Sequence, residues 1–139
     1  PTNAGSPKEL EVLSEMPGVV TKSERYLAQS LLGYAFFHRG MIADFMLGGE
    51  RVQVFVVFES STEAARKAFD DYRSYLKTEG QEINVIGTTD RISLAAVDPL
   101  YRGVFVEQAG SYLIGAIRMK EASIGKPIVE KIRERLLKR

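Results

Sequence analysis

Between Met41 and Gly80 the spacing of apolar positions changes once, from two to about three and a half residues, and that change organises the chain. Met41 to Leu47 and Arg51 to Glu59 are rich in branched and aromatic residues, and Gly48-Gly49 between them can supply the positive φ angles of a tight hairpin turn. In the second segment Val52, Val54, Val56 and Phe58 share one face, while Phe55 and Val57 make the other face apolar too. That strand is expected to be central and covered on both sides. Ser60-Ser61-Thr62-Glu63 has the Ser-x-x-Glu form of a capping box, in which hydroxyl and carboxylate satisfy amides left free by a first helical turn. Ala65, Ala68, Phe69, Tyr72 and Leu76 then recur at helical spacing, with Ala64 and Tyr75 beside them. They predict a helix over Ser61 to Glu79 that Gly80 ends in a left-handed conformation. On its polar stripe Glu63 with Lys67 and Arg66 with Asp70 are spaced for ion pairs.

The flanks are read by the same signals. Pro1 to Pro7 consists of turn formers and small residues, a flexible lead. Lys8 to Met16 forms a short helical segment that docks Leu10, Val12 and Leu13, stopped by Pro17-Gly18. Residues 1–20 are thus a lead and docking segment, and 21–139 one α+β domain. Arg25 to Ala28 is a short strand. Leu31 to Phe37 is too apolar for a solvated loop, which suggests a helix from Gly33 to His38 covering one sheet edge. Glu82 to Ile86 and Arg91 to Val97 are strands around Gly87 to Asp90, and Arg102 to Glu107 pairs with Ser111 to Arg118 across Gln108-Ala109-Gly110. Gly125 and Pro127 start a last helix whose buried stripe is Ile128, Val129, Ile132 and Leu136. The expected class is α+β: a mainly antiparallel sheet of five or six strands, two principal helices packed on it, and a short N-terminal helical segment. The order hairpin-then-helix occurs twice, a faint internal echo.

Composition narrows the function classes. The 139 residues carry a formal charge of +1 from 19 basic and 18 acidic side chains, so no global field favours nucleic acid. The absence of cysteine removes disulfides, thiolate metal sites and a cysteine nucleophile. The longest apolar run, Val54 to Phe58, is far shorter than the ~20 residues of a membrane span. The chain opens at Pro1 without a methionine, and an authentic start, with any signal peptide, is expected to have preceded it.

No motif frames a reaction. His38 is the sole histidine and sits before Gly40, where a ring can simply meet free carbonyls. Serines lack a Gly-x-Ser-x-Gly elbow, and Gly125-Lys126 lacks both the leading glycine and the hydroxyl of a phosphate loop. Asp44, Asp90, Asp98 and Glu107 would need the fold to bring them together for acid and base work, and solvated strand ends are their bland alternative. Tyr34 and Tyr101, with Arg39 and Arg102 near in sequence and His38 beside them, form the candidate ligand-binding set, although tyrosine is also an ordinary half-buried residue. No catalytic residue, metal ligand or cofactor is assigned. The expected function is a non-catalytic binding domain for an unknown small ligand or protein. The alternatives are a small hydrolase or lyase pairing His38 with Asp44 or Asp98, and self-association through an edge strand such as Arg91 to Val97, which leaves monomer or dimer open.

Ser23-Glu24-Arg25-Tyr26-Leu27, Gly33-Tyr34-Ala35-Phe36-Phe37-His38-Arg39-Gly40, and Tyr101-Arg102-Gly103 followed by Gly110-Ser111-Tyr112-Leu113-Ile114-Gly115 carry a resemblance. Together they resemble the second half of an uncharacterised bacterial family whose longer members hold two related α+β halves behind an export signal. The resemblance implies an extracytoplasmic protein, periplasmic or membrane-anchored through a removed N-terminus, with the missing first half as a possible partner. It carries over no catalytic residue.

Overall fold

In a computed structural model, which describes residues 8–87 and 91–138, the hairpin on Gly48-Gly49 becomes the seed of a larger sheet. Strand β1 (Arg25–Leu27) precedes β2 (Gly40–Leu47) and β3 (Glu50–Phe58), and helix α1 (Lys8–Glu15) comes before all three. Helix α2 (Thr62–Glu79) leads to β4 (Gln81–Gly87), β5 (Arg91–Asp98), β6 (Arg102–Ala109) and β7 (Tyr112–Met119), and α3 (Lys126–Lys138) follows. The sheet is antiparallel throughout, in the order β1-β2-β3-β7-β6-β5-β4.

Among the described residues the strands number seven, not five or six, because short β1 joins through main-chain pairing of Arg25 with Ile42 and Leu27 with Gly40. The strand expected to be central, β3, is interior and buried on both faces. By contrast Arg91 to Val97, offered above as an edge, lies between β4 and β6; the edges are β1 and β4. The double hairpin-then-helix order is not a symmetric duplication. Antiparallel β3 and β7 relate their hairpins by a rotation that preserves the sheet's faces, yet α2 and α3 lie on opposite faces.

One face carries α1 and α3, whose Leu13, Val129 and Ile132 pack with Phe45, Val54 and Ile114. Residues 8–20 are therefore part of the same core, and the flexible lead expected over Pro1 to Pro7 lies outside the described residues. The other face carries α2, with Phe69, Tyr72 and Leu76 against Leu94, Val106 and Leu113. Each such large side chain, fully buried, contributes roughly 1.5–3 kcal/mol, so packing outweighs the surface pairs in positioning α2. Those pairs are Arg66 with Asp70 and, in place of Glu63 with Lys67, Lys67 with Asp71 at 2.9 Å.

Local chemistry corrects four boundaries. Ser61, not Ser60, caps α2, its hydroxyl accepting from the Ala64 amide at 3.0 Å, which moves Glu63 out of the capping-box position. Gly80 ends α2 at φ −116° rather than left-handed, its amide bonded to the Leu76 carbonyl. The helix expected over Gly33 to His38 is instead a 3-10 turn at Leu31–Gly33 followed by irregular chain. Leu32 and Gly33 have φ of 60° and 81°, which no right-handed helix sustains, and Leu31, Tyr34 and Phe37 point inward over β2 and β3 on the α2 face. The β6–β7 turn falls at Gly110 and Ser111, so Gln108 and Ala109 belong to β6.

Coverage of the sheet is uneven. The α2 face is roofed by α2 and the 31–37 segment, but α1 and α3 reach only as far as β6. On that side the outer half of the sheet is bare. Ile83 and Ile86 on β4 are 58% and 59% exposed, and Val97 on β5 39%.

Candidate functional site

The sequence candidates do not gather in one place. Tyr34 is buried where the Asp98 carboxylate closes β5: its hydroxyl lies 2.8 Å from Asp98 Oδ2, that of Tyr72 donates to the same oxygen at 2.6 Å, and the Leu100 amide donates to Oδ1. Tyr75 and Tyr101 pack against the Tyr34 ring, and the Tyr101 hydroxyl donates to the Leu32 carbonyl. Burial, the neighbouring Tyr75 and Asp98 hold the Tyr34 hydroxyl far above its usual range; Tyr72 is raised by burial and then by Asp98. Three donors on a carboxylate that is 1% exposed make a satisfied buried network, which ties the 31–37 segment and α2 to the end of β5. Arg102 follows Tyr101 in the tight turn into β6 with φ 60° and an exposed side chain, outside this network.

His38 and Arg39 lie elsewhere. The His38 ring is exposed, and its Nδ1 is 3.0 Å from a Glu59 oxygen that is nearly buried. Neither Asp44 nor Asp98 is its partner: Asp44 binds Arg51 at 2.7 Å and Gln53, and the Arg51 guanidinium holds its carboxyl below the usual range. The Arg39 guanidinium stands over the Phe58 ring. Glu107 has a fourth environment, an ion pair with Arg133, and Asp90 lies outside the described residues. The carboxylates thus do not converge, and among the described residues no group of three or more His, Asp or Glu side chains could hold a metal. No helix among them is long and apolar enough to cross a membrane.

What the fold does build is a groove on the bare outer half of the sheet, between β4–β5 and the start of α3. It encloses about 500 Å³ and is lined by Ile86 and Asn84 from β4, Arg91, Ser93 and Ala95 from β5, and Phe105 and Glu107 from β6. Ser123, Lys126, Glu130 and Arg133 form the opposite wall. A second hollow of about 430 Å³, bounded by Ile83, Val97 and Lys120, shares Asn84, Ala95 and Ser123 with it and so extends the channel along β5. Period-two alternation explains the lining. Leu94 and Ala96 face α2, which turns Ser93, Ala95 and Val97 to the groove. On β6 the same rule turns Phe105 and Glu107 outward while Val104 and Val106 face α2.

Glu107 and Arg133 set the floor. Their side chains are 5% and 12% exposed and meet at 2.5 Å, Arg133 Nη1 donating to Glu107 Oε2. A carboxylate in the middle of an apolar strand is tolerated here because α3 delivers a guanidinium to it. The sequence reading missed this groove. The signal available was Glu107 closing the run Val104-Phe105-Val106, a charge where the strand pattern calls for an apolar side chain.

No protein-family model matches the chain, and neither the curated proteins nor the solved structures contain a significant match to it.

Proposed function

We propose that this chain is a non-catalytic binding domain whose bare sheet face, walled by α3, receives its ligand. The observation that carries the reading is the groove over the buried Glu107–Arg133 pair, a pre-formed concavity of mixed apolar and charged lining on the outer half of the sheet that α1 and α3 leave uncovered. Tyr34, Tyr101, His38, Arg39 and Arg102 lie outside that lining. The experiment is a fragment screen by heteronuclear NMR on the wild type and Ala95→Trp, a half-buried groove residue enlarged to fill the channel. Fragments that shift Ile86, Ser93, Ala95 and Ser123 amides in the wild type and lose that effect in the variant support the reading. Hits centred on His38 and Glu59 would instead favour the hydrolase or lyase, now with Glu59 as the carboxylate partner. Location outside the cytoplasm, motivated by the family resemblance, belongs to the same proposal, and fractionation of producing cells tests it.

Self-association is a second reading, moved from β5 to β4. The β4 edge carries exposed Ile83 and Ile86 and a single charge, Glu82, which Arg73 neutralises at 2.9 Å. Lysine or proline, the usual guards of an edge, is missing from it. Sedimentation showing a concentration-dependent dimer that Ile86→Lys dissociates would support this reading; monomer at all concentrations would remove it.

A further inference from the structure

We infer that the ligand of the groove is a small amphipathic anion, an apolar body bearing one carboxylate; the inference rests on the binding reading above and names its ligand class. The apolar part of the lining is Phe105, almost fully buried as a floor, with Ala95 beside it and Ile86 at the lip. Such a strip removes an aliphatic or aromatic body from water without a change in the fold.

The charges decide the head group. Glu107 is engaged by Arg133 below the surface, so that pair neutralises itself. What remains at the groove walls, among the described residues, is Arg91 from β5 and Lys126 from the first turn of α3, both exposed, against Glu130. The balance is one positive charge, and the two cations stand on opposite walls. A carboxylate between them is attracted by both, with the Ser123 hydroxyl in the same lining; the Ser93 hydroxyl already donates to the Ile86 carbonyl. An ammonium in that place would be repelled by both cations. A planar guanidinium and a flexible ammonium also accept different approach angles, which suits a carboxylate on a mobile chain. Because Arg91 and Lys126 are solvated, their contribution is salt-dependent.

The test is a titration of the isotopically labelled chain with octanoate, octylamine and octanol at low ionic strength. These probes share a body and differ in head group. Octanoate is expected to shift the amides of Ile86, Ser93, Ala95 and Ser123, with an affinity about tenfold above that of octylamine or octanol. The double variant Arg91→Glu with Lys126→Glu is expected to invert the order, octylamine then binding best. Both positions are exposed, so the fold is retained, and the dispersion of the amide spectrum verifies it. If octylamine or octanol binds the same groove as well as octanoate does, the anion preference is overturned while the binding surface stands. If no probe moves a groove resonance, the amphipathic ligand itself is overturned, and the fragment screen then decides the binding reading independently.

Discussion

The Tyr72 hydroxyl donates to the Asp98 carboxylate at 2.6 Å, a bond that joins the middle of α2 to the end of β5 across 26 residues of sequence. Tyr34 adds its own hydroxyl to the same carboxylate from the 31–37 segment. Tyr72→Phe removes one donor from a buried charged acceptor and should cost about 1.5–3 kcal/mol, measured by urea denaturation. Asp98→Ala, which strands two buried hydroxyls, should cost more than either single tyrosine change.

The same two tyrosines contribute to alkaline behaviour. Tyr34 and Tyr72 ionise far higher in the folded chain than the value of about 10 of an unfolded tyrosine. Above that pH the unfolded state loses these protons first, so stability is fully present below pH ~10 and falls as pH rises, by about 1.4 kcal/mol per unit for each tyrosine. Urea midpoints followed into alkali should show this fall, and Tyr34→Phe with Tyr72→Phe should lessen it, the remainder coming from Tyr101 and Tyr112, which burial also raises.

Glu107 and Arg133 predict a non-additive cycle. Arg133→Met leaves a buried carboxylate unpaired and should destabilise by about 3–5 kcal/mol, whereas Glu107→Leu with Arg133→Met should recover most of that loss. Thermal or chemical denaturation of the two singles and the double measures it.

Gly115 lies opposite Phe55 on the α2 face, and a β-carbon there would come well inside van der Waals contact with the Phe55 ring. Gly115→Ala should cost about 1–3 kcal/mol by overpacking, and Phe55→Leu in the same chain should restore part of it. Equilibrium denaturation of the two variants decides.

The cap of α2 separates two adjacent serines. Ser61→Ala should lower stability by about 0.5–2 kcal/mol, and Ser60→Ala should change it by far less. Comparing their denaturation midpoints checks the assignment.

Much of the fold was legible locally. Gly48-Gly49 marked its hairpin, and both glycines adopt positive φ; the stripes of α2 and α3 were named residue by residue and are buried. The segment after Ser30 misled because its aromatic residues are apolar for a tertiary reason. Tyr34 and Phe37 fill the space over β2 and β3, and an irregular chain places them there as well as a helix would.

By itself the sequence determined the elements, since strand alternation, helical stripes, turns and caps are written within a few neighbouring residues. Strand order, and with it the groove, was decided only in the folded molecule. Placing β7 between β3 and β6 leaves β4 and β5 beyond the reach of α3 while bringing Arg133 onto Glu107. Periodicity states which face of a strand is apolar. What comes to lie against that face, or whether anything does, depends on contacts between residues far apart in the chain.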